Sequence, residues 1–107
     1  MKTVVITCGR NVGDEPMTAE LWRWFKASTI SRVSRIPGAT VLQYPNLSDS
    51  QVGEWDGVKE EAFTVVALVP DGEIASLRNW LRALCVRFEQ EAIGFIEADG
   101  VENLITP

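Results

Sequence analysis

Glu61-Ala62-Phe63-Thr64-Val65-Val66-Ala67-Leu68-Val69, stopped by Pro70-Asp71-Gly72, decides how this chain folds. The run is the strongest strand signal in the sequence, rich in β-branched and apolar residues, and Pro-Asp-Gly is a turn. On its C-terminal side, Ile74, Leu77, Leu81, Leu84, Cys85 and Phe88 recur at helical spacing, with Ala75, Arg78, Asn79 and Arg82 off the stripe. A last strand is read at 92–97. Asp99-Gly100 then turns the chain into a tail that adds a short edge element. On its N-terminal side, Glu54-Trp55-Asp56-Gly57 reads as a hairpin corner, 45–53 as a polar loop and 39–44 as a strand. Further back, Thr3-Val4-Val5-Ile6-Thr7 is a central strand, and 9–16 is a loop of turn residues. Thr18 is an N-cap with Glu20 in the first turn of a helix that runs into the low 30s and closes at Pro37-Gly38.

The order strand, helix, strand, strand, helix, strand is the split βαβ pattern of an α+β, ferredoxin-like βαββαβ fold. Two helices would cover one face of a four-stranded antiparallel sheet. The runner-up is a two-layer α+β sandwich with its hairpin at the opposite edge. The second sheet face is left to polar residues or to another subunit, since large apolar patches mark interfaces.

At 107 residues and 11.9 kDa the chain is read as one domain, 1–107. The longest apolar run, 63–69, is too short to cross a bilayer, and no signal peptide is evident, so a cytoplasmic protein is expected. There is no histidine, which removes the usual general base and the commonest metal ligand. Cys8 and Cys85 have no Cys-x-x-Cys spacing and are read as free, inert thiols. No metal and no cofactor are expected. Net charge is −5, and its distribution is lopsided: six Lys/Arg against four Asp/Glu in 1–53, but four against eleven in 54–107. Such an acidic chain lacks the footprint of a nucleic-acid binder. The basic residues Arg23, Lys26, Arg32 and Arg35 read as a solvated helix face.

Pro37-Gly38-Ala39-Thr40-Val41, then Gly53-Glu54-Trp55, Glu60-Glu61, and Arg87-Phe88-Glu89-Gln90-Glu91 form a recognisable string. It resembles a small bacterial and actinophage family of unknown function, with Gly-x-Trp and Arg-Phe-x-Gln-Glu motifs on a ferredoxin-like core. The resemblance spans roughly 4–97, includes Cys8-Gly9-Arg10-Asn11 at the first strand's exit, and supplies a fold but no reaction. Its Trp-x-x-Phe helix motif matches Trp22 to Phe25 and implies an inward pair there. Helical periodicity instead groups Leu21, Trp24, Phe25 and Ser28, which puts Trp24 in the core and leaves Trp22 partly exposed.

The candidate binding residues are Arg10, Asn11, Trp22, Trp55, Glu61, Gln90 and Glu91. Arg10, Gln90 and Glu91 would gather at one end of the sheet. Glu54, Asp56, Glu60, Glu61 and Glu91 form a carboxylate set without calcium-loop spacing. With no catalytic constellation, the leading expectation is a non-enzymatic interaction module that self-associates as a homodimer through its sheet face. One alternative is a phage-encoded acidic inhibitor of a host protein. The other is a small-molecule-binding protein or enzyme with a pocket between sheet and helices; it needs buried carboxylates among Glu60, Glu61 and Glu91.

Overall fold

The structure is a computed structural model that describes the backbone of residues 1–45, 51–55, 58–97 and 102–107. Side chains are described for 1–45, 60–97 and 105–107. Strand β1 (Lys2–Gly9) sits at the centre of the sheet. A two-residue-per-strand hairpin follows, β2 (Asn11–Val12) and β3 (Glu15–Pro16), then helix α1 (Ala19–Ser34) and strand β4 (Thr40–Gln43). Next come β5 (Gln51–Trp55), the long β6 (Val58–Val69), a single 3₁₀ turn at Asp71–Glu73, α2 (Ile74–Arg87), β7 (Ile93–Ile96) and β8 (Glu102–Ile105).

The sheet order is β4-β6-β1-β7-β8, and every pairing is antiparallel. Strand β4 pairs with Val66–Leu68 of β6, whereas β5 pairs with Val58–Ala62. Both lie on the edge of β6 opposite β1, so together they are the second strand of βαββαβ, interrupted between 43 and 51. The fold is therefore the α+β, ferredoxin-like arrangement, widened by β8 beyond the fourth core strand.

Alternation along the strands builds the core. Val4, Ile6 and Cys8 of β1, Phe63, Val65, Ala67 and Val69 of β6, and Ile93 and Phe95 of β7 face the helices and are buried. The α2 stripe Ile74, Leu77, Leu81, Leu84 and Cys85 closes over them. The opposite face carries Val5, Val66, Leu68 and Ile96 among Thr3, Thr7 and Thr64. Thr18 caps α1, its hydroxyl accepting from Leu21 N–H at 3.2 Å. Neither the 3₁₀ turn nor α2 has a side-chain cap, and Asp71 pairs instead with the N-terminal amine at 3.2 Å.

Helix α1 corrects the periodicity reading. Its buried face is Trp22, Phe25, Lys26, Thr29 and Val33, while Leu21 and Trp24 stay exposed at 43% and 50%. Trp22 packs at 5.2 Å from the Phe63 ring and 6.0 Å from Phe25, and Phe25 stacks on Phe88 at 4.6 Å. The register implied by Trp-x-x-Phe is thus the one adopted. Two polar residues hide this face in the sequence. Lys26 is wholly buried, with its ammonium 5.0 Å from the Trp22 ring, so it leaves the solvated basic face to its neighbours. Thr29 satisfies its hydroxyl on Phe25 C=O at 2.9 Å. No helix among the described residues is long and apolar enough to cross a membrane.

Candidate functional site

The last residue of β1 pairs with Ala62, and the register brings Gly9-Arg10-Asn11 beside Glu60 and Glu61. Adjacent residues of a strand point to opposite faces, so the two carboxylates meet different partners. Glu61 forms an ion pair with the Arg10 guanidinium, whose Nε also donates to Met17 C=O at 2.8 Å. Arg10 N–H donates to Glu61 C=O, and Met17 N–H to Arg10 C=O, both at 2.9 Å. Arg10 thus ties the β2–β3 hairpin to β6, and its charge is consumed there.

Glu60 is held differently. Its Oε2 accepts from Asn11 N–H at 2.9 Å, and the carboxylate lies so close over Gly9 that a Cβ there would fall on it. Only glycine leaves this seat open. Its charge is held in place by a neutral amide, and among the described residues no cation pairs with it.

Gln90 completes this end of the sheet. It is buried at 6%, and its amide donates to Asn11 C=O at 3.1 Å and to Phe88 C=O at 3.3 Å. Asn11 is therefore clamped on both sides, N–H to Glu60 and C=O to Gln90. Beside the clamp lies a shallow cleft of about 100 Å³, lined by Val12, Met17, Leu21, Trp24, Arg87, Phe88 and Glu89. Arg87 sits 4.6 Å from the Trp24 ring, and Phe88 meets that ring edge-on at 5.8 Å.

Of the expected site residues, Arg10, Asn11, Glu61 and Gln90 come together at this end. Arg10 pairs with Glu61, not with Gln90 or Glu91, and Glu91 lies exposed at the bend after α2. Trp22 belongs to the core and not to a surface, because its face of α1 is the one pressed on Phe63. The side chains of Trp55, Glu54 and Asp56 lie outside the described residues. Of the three carboxylates that a pocket requires, Glu60 and Glu61 are partly buried and Glu91 is exposed. Glu60, Trp24, Arg87 and Glu89 are absent from the sequence-derived set. Glu60 carried a signal, as part of the carboxylate set; the significance of Glu89 depends on where α2 ends to the residue, which periodicity does not fix.

Cys8 and Cys85 are buried and unbridged. Burial, and then the neighbouring Cys85, push the Cys8 thiol well above its ordinary range, and burial pushes Cys85 up to about 11 against the lowering effect of Arg82. Both are protonated at neutral pH and unfit as nucleophiles. Among the described residues no group of His, Cys, Asp or Glu is arranged to hold a metal.

No family model and no curated protein matches the chain. Its structure is similar to a solved phage SAM lyase in the apo state, with a TM-score of 0.60 and 22% identity over 99% of this chain and 89% of that one. It is likewise similar to a phage SAM lyase in complex with S-methyl-5'-thioadenosine, with a TM-score of 0.58 and 19% identity over the same shares. At this identity the likeness establishes the fold. It also overturns the leading expectation of a non-enzymatic interaction module: the solved chains built this way are an enzyme, once empty and once holding a small molecule. The likeness favours the small-molecule alternative over it.

Proposed function

We propose that the chain is a small-molecule enzyme that binds an S-adenosyl sulfonium ligand at the Gly9–Glu60–Gln90 end of the sheet and cleaves its carbon–sulfur bond, releasing S-methyl-5'-thioadenosine. The observation that carries this reading is the seat of Glu60: a carboxylate with no cationic partner among the described residues, oriented by Asn11 N–H over a glycine that leaves room for it. A charge held in that manner favours a cationic ligand. The whole-chain likeness to a SAM lyase, and to its complex with the thioadenosine, supplies the ligand class. The net charge of −5 adds a field that attracts S-adenosylmethionine, whose sulfonium and ammonium outweigh its carboxylate.

The chemistry suits a chain without histidine. When the ligand's own carboxylate oxygen forms a bond to the aminocarboxypropyl carbon attached to sulfur, closing a lactone, the carbon–sulfur bond breaks and its electron pair stays on sulfur, which leaves as a neutral thioether. No acid is needed for the leaving group, so the protein's work is orientation and exclusion of water. Glu60 is a ligand-holding residue in this scheme, and Arg10, Asn11 and Gln90 keep it in position.

Incubation with S-adenosylmethionine, followed by chromatography for S-methyl-5'-thioadenosine, tests the reading. Product should form with wild type and fall at least tenfold with Glu60→Gln, which keeps the shape but removes the charge. No product and no binding of either compound by wild type would overturn it.

A further inference from the structure

The Trp24 cleft is unexplained by anything above, and its rim contains a residue that the backbone disfavours. Helix α2 ends in a Schellman motif: Gln90 N–H donates to Cys85 C=O at 2.8 Å and Glu89 N–H to Val86 C=O at 3.3 Å. The first residue past the cap of such a motif turns left-handed, a position that favours glycine. Here it is Glu89, with φ +53°, the only non-glycine residue with positive φ among those described. Strain of this kind is retained where the side chain does something that glycine cannot. The Glu89 carboxylate has no hydrogen bond or ion pair among the described residues, and Glu89 is one of the residues lining the cleft with Trp24, Arg87 and Phe88.

We infer that this cleft is the subsite for the adenine ring of the ligand, with Trp24 as the stacking surface and Glu89 as the acceptor for the adenine exocyclic amine. The inference rests on the S-adenosyl reading above and adds to it the residues that select the base. Size is one argument. About 100 Å³ is too small for a whole ligand, whose pockets run roughly 300–1,000 Å³, and suits one flat ring system. Chemistry is another. Half of Trp24 remains exposed although Arg87 covers part of the ring, and an indole face is a sequence-independent platform for a base. A carboxylate accepts from the adenine amine and repels the carbonyl oxygen that hypoxanthine carries at the same place. Position is the third. Val12, in the cleft wall, follows Asn11, which holds Glu60, so the base and the cationic end of one ligand would lie on either side of the Asn11–Val12 segment.

Isothermal titration of the intact protein with S-methyl-5'-thioadenosine and with S-methyl-5'-thioinosine tests the assignment. Wild type should favour the adenine compound by about tenfold, roughly one charge-assisted hydrogen bond. Glu89→Gln should cancel that preference, because an amide can also donate to the hypoxanthine oxygen. Glu89→Gly should bind the adenine compound about tenfold more weakly while melting no lower than wild type, since glycine relieves the left-handed strain. Trp24→Ala should weaken both compounds alike. Equal affinities for the two compounds in wild type, unchanged by Glu89→Gly, would overturn the subsite and leave the lyase reading intact. Wild type that binds neither compound would overturn both.

Discussion

Replacing Trp22 by alanine should come close to unfolding the protein, whereas the same change at Trp24 should barely be felt by the fold. Trp22 is 4% exposed and touches Phe25, Phe63 and the Lys26 ammonium. A tryptophan buries about 150–250 Å², which at about 25 cal/mol per Å² corresponds to roughly 4–6 kcal/mol. Alanine would leave a cavity against Phe63 and remove the ring over which the buried Lys26 ammonium lies. Large buried aromatics truncated to alanine cost about 3–5 kcal/mol, and about 4 kcal/mol is expected here. A domain of this size has about 5–15 kcal/mol in all, so the melting temperature should fall by about 15–20 °C. Trp24, half exposed, loses an edge contact to Phe88 and its Arg87 partner, for about 1 kcal/mol. Urea and thermal unfolding followed by far-UV circular dichroism reads both variants without relying on tryptophan emission. Equal destabilisation by the two substitutions would refute the orientation of α1.

Gly9→Ala should push the Glu60 carboxylate from its seat and break its bond to Asn11 N–H, lowering stability by about 1 kcal/mol and raising the KM for S-adenosylmethionine by about tenfold. Thr18→Ala removes the acceptor for Leu21 N–H and should cost about 1 kcal/mol, read as a shift of the urea midpoint. Hydrogen bonds from Arg78, and then from Lys2, hold the Glu97 carboxyl below the usual carboxylate range. A lowered folded-state value stabilises the protein above the ordinary carboxylate pKa and is lost as pH falls through the lowered one. Denaturation midpoints measured from neutral pH downward should therefore drop in acid, and Glu97→Gln should flatten that drop.

The sheet and α2 were legible in the sequence because their apolar residues follow the periods of a strand and a helix without interruption. Helix α1 was not. Its buried face contains Lys26 and Thr29, and its exposed face contains Leu21 and Trp24, so hydropathy points away from the true orientation. The short motif Trp22 to Phe25 held the information that periodicity lacked. The division of the second strand into β4 and β5 was partly hidden, since Gln51-Val52-Gly53 reads as loop until its pairing with 60–62 is seen. At the candidate site, Arg10, Asn11 and Gln90 stood out as polar residues at element ends. The pairing of Arg10 with Glu61 did not, because the two are 51 positions apart and meet only through the Gly9–Ala62 register. Glu89 is ordinary in sequence and unusual only in its backbone.

The central claim, that one end of this sheet holds an S-adenosyl-type ligand, is tested most directly by titrating the ¹⁵N-labelled protein with S-methyl-5'-thioadenosine and mapping amide and indole shifts by NMR. Saturable perturbations should centre on Gly9, Arg10, Asn11 and Gln90, with the Trp24 indole moving and the buried Trp22 indole still. Perturbations confined to other parts of the sheet, or none at saturating ligand, would contradict it.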